Sequence, residues 1–226
     1  MRPTKDFDVL YKAATGKISK LRLLAQKSSS RPTNEFSNSN QEISFAVIEL
    51  HTAYSNFARS YFLSCTLKPT TRSGGKVTCS PAITNFIDAI DASMKACKNR
   101  TWVTARGNKS WAQRDEPSWH QPNVLIDSCQ EIGCSNQTNI MSAFSIPTSA
   151  FENLTKFRNF FAHRNKNTMQ KALDVANQYS ISTTPQNSTM PYHPAKILCS
   201  PALGRNQTLL LDWIDDISLV IDILCQ

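Results

Sequence analysis

The chain has 226 residues, of which 40% are hydrophobic, and a formal charge of +8. That length and hydrophobic share suffice for a globular domain and exclude a wholly disordered chain, and no apolar run approaches the ~20 residues that a membrane-spanning helix needs. The basic balance favours an anionic partner, with nucleic acid first and an acidic protein second.

Thr4 to Lys27 can form a helix with Phe7, Leu10, Tyr11, Ala14, Ile18 and Leu21 inside and Lys5, Lys12, Lys17, Lys20 and Arg22 outside. Gly16 weakens it by about 1 kcal/mol relative to Ala. Ser28 to Gln41 is polar and aperiodic and predicts a loop or linker. Glu42 to Cys65 is strongly helical, through Ile43, Ala46, Val47, Leu50, Ala53, Tyr54, Phe57, Ala58 and Tyr61, and should be a central strut. Its Glu49, Asn56 and Arg59 fall at a spacing that could line one side of a cleft. Leu67 to Ser80 reads as a flexible basic loop, and Pro81 as the first residue of a helix that runs through Ile83, Phe86, Ile87, Ile90 and Met94 to about Cys97. Asp88 and Asp91 lie off that stripe and read as surface charge.

From Lys98 to Pro122 the chain interleaves Lys98, Arg100, Arg106, Lys109 and Arg114 with Trp102, Trp111 and Trp119. Such a stretch suits a single-stranded nucleic-acid groove, and equally an insertion pinned to a bundle by buried Trp. Asn123 to Cys134 predicts another helix, ending near Gly133. Phe151 to Asn165 predicts the next, with Ser149 and Glu152 as a capping box, and Met169 to Tyr179 a further one. Ser180 to Pro201 is proline-punctuated loop, and Gln207 to Leu224 is a final apolar and acidic helix, unsuited to RNA.

Seven cysteines without a C-x-x-C pair, and no charged-then-apolar leader, predict free thiols in a reducing cytosol. Cys129 and Cys134 are five apart, a poor zinc spacing without matching ligands, so no metal is expected. The N-x-S/T pattern occurs six times, at Asn99, Asn108, Asn136, Asn153, Asn187 and Asn206. In a chain rich in Asn, Ser and Thr this reads as composition, and the Asn153 copy falls in a helix expected to pack the core, where a glycan would not fit.

Strand alternation, a Gly-rich phosphate loop, a Walker sequence and a metal cluster are all missing from the sequence, which leaves an all-α protein and one chemical pair, Arg158 and His163. Phe151, Leu154, Phe157 and Phe161 make the apolar stripe of their helix, with Arg158 at its border. Arg114 and His120 have a similar spacing, but Pro117 between them assigns that copy to a loop. Five residues apart, Arg158 and His163 sit roughly 140° apart around a regular helix. They converge only if the helix ends or bends near His163, for which Asn165, Asn167 and Thr168 supply stop and start signals, or if a second subunit supplies one partner.

The segment RNFFAH, with the polar Asn159 directly after Arg158 and hydrophobic residues between Arg and His, resembles the signature of the HEPN superfamily (higher eukaryotes and prokaryotes nucleotide-binding). The resemblance implies a helical bundle of about five to six helices, here a single domain over residues 1–226 with loop-rich insertions near 66–80, 98–122 and 180–203. It also implies a cytoplasmic, metal-independent endoribonuclease of a bacterial defence or toxin system, without cofactor, acting on tRNA or mRNA as a homodimer whose two signatures face each other. An antitoxin or sensor protein is a further expected partner. Arg158, His163 and Asn159 would be catalytic, and Arg164, Lys166, Arg59, Arg106 and Lys109 would hold the nucleic acid. RNA carries its own nucleophile, the 2′-hydroxyl, so cleavage needs a base, an acid and positive charge on the phosphorane, which imidazole and guanidinium provide. The alternatives are a non-catalytic HEPN-like module that binds RNA, a nucleotide or a partner, and a structural role in which Arg158 forms an ion pair and His163 caps a helix.

Overall fold

A computed structural model describes residues 1–31, 36–83, 85–98, 100–105, 111–145, 149–182 and 192–226, with backbone alone at 36–39, 100, 102 and 105. Among them the regular structure is helical, as the periodicity predicts, and strand-like pairing is confined to isolated bridges such as Asp6 with Thr70 and Cys79 with Cys134. The helices are α1 (Phe7–Ser29), α2 (Phe36–Cys65), α3 (Phe86–Cys97), α4 (Arg100–Ala105), α5 (Pro122–Glu131), α6 (Gln137–Ala143), α7 (Ser149–His163), α8 (Lys166–Gln178), α9 (Ala195–Leu198) and α10 (Leu209–Cys225). They form two compact units. Met1–Gly16, Ala53–Thr148 and Leu219–Gln226 make unit one, and Lys17–Thr52 and Ser149–Ser218 make unit two.

Unit one closes on aromatic side chains from helix interiors. Phe7 stacks on Tyr61 at 4.7 Å, and both are fully buried with Phe57 and Phe62. Arg72 in the following loop ties this unit's termini together. It lies over the Tyr11 ring at 3.7 Å, pairs with Asp222, and donates its backbone N–H to the Cys225 carbonyl at 2.9 Å. Tyr11 is therefore half-buried beneath a guanidinium rather than inside the core. Asp91 also departs from the expectation of surface charge. It is buried, pairs with Lys95 at 2.6 Å, and lies 3.4 Å from the Trp111 indole nitrogen, so its burial is compensated. The helix expected from Pro81 begins instead at Phe86, where the Asn85 side chain accepts the Asp88 N–H at 2.9 Å.

In unit two α7 packs against α8, and Phe157 meets Trp213 edge-on at 5.7 Å. Tyr179 organises the polar side of this core: its hydroxyl is 3.2 Å from Trp213 Nε1 and 3.3 Å from Asn153 Nδ2. Asn153 is 1% exposed and donates to Gln178 at 2.9 Å, which agrees with its expected place in the core and leaves no room for a glycan. Of the expected linker at 28–41, the described residues are mostly helical, because α1 continues to Ser29 and α2 starts at Phe36. Glu42 closes the corner by accepting from the Ser28 hydroxyl and pairing with Arg31 at 2.9 Å.

Candidate active site on helix α7

Helix α7 forms because apolar residues recur on one face. Phe151, Leu154, Phe157, Phe160 and Phe161 are buried, while Arg158 and Asn159 are half-buried at the border and His163 is exposed. The helix ends at His163. Arg164 takes a left-handed φ of +47° and its N–H still reaches the Phe160 carbonyl at 2.7 Å, which closes the last turn. Asn165 then caps α8, accepting the Thr168 N–H at 2.9 Å. The helix does end near His163, but Asn165 starts α8 rather than ending α7, and Asn167 and Thr168 lie inside the first turn of α8. The break presents His163, Arg164 and Lys166 to solvent beside the amino-terminal end of α8, where free N–H groups favour anions.

Within this segment Arg158 Nη1 donates to Asn159 Oδ1 at 3.1 Å, which joins two of the three expected catalytic residues. A second imidazole lies beside the same helix and has no counterpart in the sequence reading. The His193 ring meets Phe160 edge-on at 5.6 Å, and its Nδ1 accepts the Ala195 N–H at 3.1 Å. Its Nε2 lies 3.1 Å from Asn40 Nδ2. Burial, then the nearby charges of Arg164 and Lys196, lowers the His193 pKa below the ordinary value. Arg164 and Lys196 make the surroundings of the ring positive, which suits an anion such as phosphate. No helical period marks the 180–201 stretch that carries His193, so the sequence gives no signal for it.

The remaining cations expected to hold nucleic acid are Arg59, Arg106 and Lys109. Arg106 and Lys109 fall outside the described residues. Arg59 belongs to unit one and grips Glu116 bidentately, at 2.6 and 2.7 Å, and Glu116 also accepts from the indole of buried Trp119 at 2.8 Å. That guanidinium is held by a buried carboxylate, which makes it part of the packing of the 111–122 segment. Trp119 packs at a tilt against Phe62 at 5.1 Å, so it pins the segment to α2 rather than offering a platform to a base. Glu49, the other charged member of the expected cleft, pairs with Lys17 at 2.8 Å in unit two.

Compared with protein-family models, curated proteins and solved structures, the chain gives no significant match. Its class is set by the helices: an all-α protein in which no helix among the described residues is long and apolar enough to cross a membrane.

Proposed function

We propose that the protein is a metal-independent endoribonuclease of the HEPN type, acting in the cytoplasm as part of a bacterial defence or toxin system. The observation that carries this reading is the end of α7 at His163. It leaves the imidazole in solvent, next to Arg164 and Lys166, on the same segment as a half-buried Arg158 hydrogen-bonded to Asn159. Those are the groups an RNA transesterification uses. The 2′-oxygen attacks phosphorus as a base takes its proton, the bond from phosphorus to the 5′-oxygen breaks, and an acid returns a proton to that oxygen. His163 serves as base or acid, Arg158 holds the non-bridging oxygens, and Asn159 orients the guanidinium. A two-fold dimer with facing α7 segments supplies the second imidazole and so both proton-transfer groups. The products are a 2′,3′-cyclic phosphate and a 5′-hydroxyl. The RNA is tRNA or mRNA, and an antitoxin or sensor protein holds the activity in check.

Growth on expression in a bacterial host tests this reading. Wild type is expected to arrest growth, and His163→Ala, folded and expressed at the same level, to relieve the arrest. Equal arrest by both would contradict the assigned role of His163.

A further inference from the structure

Cysteines 65, 79, 129 and 134 lie far apart in sequence yet come together in unit one. Cys65 is at the end of α2, Cys79 in the loop that follows, Cys129 in α5 and Cys134 just beyond it. The sulfurs of Cys65, Cys129 and Cys134 lie within 4.8 Å of one another, and all three residues are buried. Cys79 Sγ lies 3.9 Å from Cys134 Sγ and is half-buried, at the rim. In a tetrahedral site with zinc–sulfur bonds of about 2.3 Å, neighbouring sulfurs stand about 3.8 Å apart. The three buried sulfurs need only a small contraction to reach that edge, and Cys79, whose thiol donates to the Cys65 carbonyl at 3.4 Å, must turn toward them to complete it. Four thiols at such a spacing suit a single ion rather than a polynuclear cluster.

The backbone is arranged to hold the fourth sulfur there. Cys79 and Cys134 form an antiparallel bridge, Ser80 N–H donates to the Gly133 carbonyl at 3.1 Å, and Ser135 N–H donates to the Thr78 carbonyl at 2.9 Å. Gly133 has a φ of +57°, and a Cβ there would lie 2.0 Å from the Ser80 carbonyl oxygen, so the approach of the two segments requires glycine. Cys134 N–H closes the turn on the Cys129 carbonyl at 3.0 Å. Disulfides account for the arrangement poorly. Three sulfurs grouped together define no unique pair, and a bonded pair would stand about 2.05 Å apart. The free thiols Cys97 and Cys199 lie outside this group.

We propose that Cys65, Cys79, Cys129 and Cys134 bind one zinc ion tetrahedrally, as a structural staple joining the end of α2, the 76–80 loop and the turn after α5. Four thiols exchange four protons for the ion, giving a tetrathiolate with two net negative charges, and no oxidant or reductant takes part. In a buried site the zinc ion supplies the positive charge that makes thiolates stable. Soft thiolates select zinc over magnesium or calcium. The staple lies in unit one, whereas α7 lies in unit two, so this inference stands independently of the proposed nuclease chemistry.

Metal analysis of the full chain, produced with zinc and purified under reductant, tests it. About one zinc per chain is expected, together with a Co2+-substituted form showing thiolate charge-transfer and tetrahedral d–d bands. Cys79→Ser, at the rim, should weaken zinc binding about tenfold or more and shift the cobalt bands, while Cys199→Ser should change neither. Folded wild type with neither zinc nor cobalt bands would overturn the proposal. So would metal-free folded protein with a disulfide among the four before reduction, or a Cys79→Ser cobalt spectrum identical to wild type.

Discussion

Arg158 donates through Nη1 to Oδ1 of its sequence neighbour Asn159 at 3.1 Å, so two polar residues at the border of the α7 apolar stripe are coupled to each other. One hydrogen bond to a charged group contributes about 1.5–3 kcal/mol where it orients a reacting partner. Asn159→Ala is therefore expected to slow RNA cleavage by about 10- to 100-fold through kcat, with KM and the unfolding midpoint little changed. A loss confined to KM would assign Asn159 to binding instead.

His193 titrates below its ordinary value when folded, because it is half-buried and faces Arg164 and Lys196. The unfolded chain then takes up protons more readily as the pH falls through about 6.5. The contribution of His193 is thus unaffected at higher pH, and stability is lost as the pH drops from about 6.5 through the lower folded value. Thermal unfolding from about pH 7 to about pH 5 should show a falling midpoint, and His193→Gln should flatten that slope. Inorganic phosphate bound near Arg164 would raise the imidazole pKa, a shift that NMR titration reads directly.

The Arg59–Glu116 pair makes a stability prediction of definite sign. Removing the guanidinium leaves a buried carboxylate with the Trp119 indole as its remaining described donor. Arg59→Ala should cost about 2–3 kcal/mol by denaturant titration, and the double variant Arg59→Ala, Glu116→Gln should recover part of that loss. An additive double variant would show that the two side chains are not coupled.

Two glycines should respond oppositely to alanine. Gly16 lies within α1 with open space where a Cβ would stand, so Gly16→Ala is expected to stabilise by about 0.5–1 kcal/mol. Gly133 combines a φ of +57° with a backbone oxygen 2.0 Å from the Cβ position, so Gly133→Ala should destabilise by about 2 kcal/mol or more. Denaturation midpoints of the two variants check both signs.

The helices that the sequence makes legible are those with a continuous apolar stripe, as in Phe7 to Leu21, Ile43 to Tyr61, Phe151 to Phe161 and Leu210 to Leu224. Residues 36–41 have no such stripe and are helical because the packed remainder of α2 extends through them. Helix α6 buries only Ile140 and Ala143 among its seven residues, too few to generate a period. On the candidate site, the end of α7 near His163 is legible because the polar and cap-forming residues that mark it are local. His193, like the gathering of Cys65, Cys79, Cys129 and Cys134, depends on tertiary approach of distant segments, which spacing alone does not encode.

Cleavage of labelled total RNA and tRNA in EDTA decides whether Arg158 and His163 cut RNA without a metal. The comparison is wild type against Arg158→Ala and His163→Ala, each of confirmed fold and oligomeric state in the same buffer. Wild type is expected to leave 2′,3′-cyclic phosphate ends, and each variant to lose about 100-fold or more in rate. Undiminished cleavage by both variants, or no cleavage by folded dimeric wild type that nonetheless binds RNA, would contradict this expectation; the second result would define a binding module.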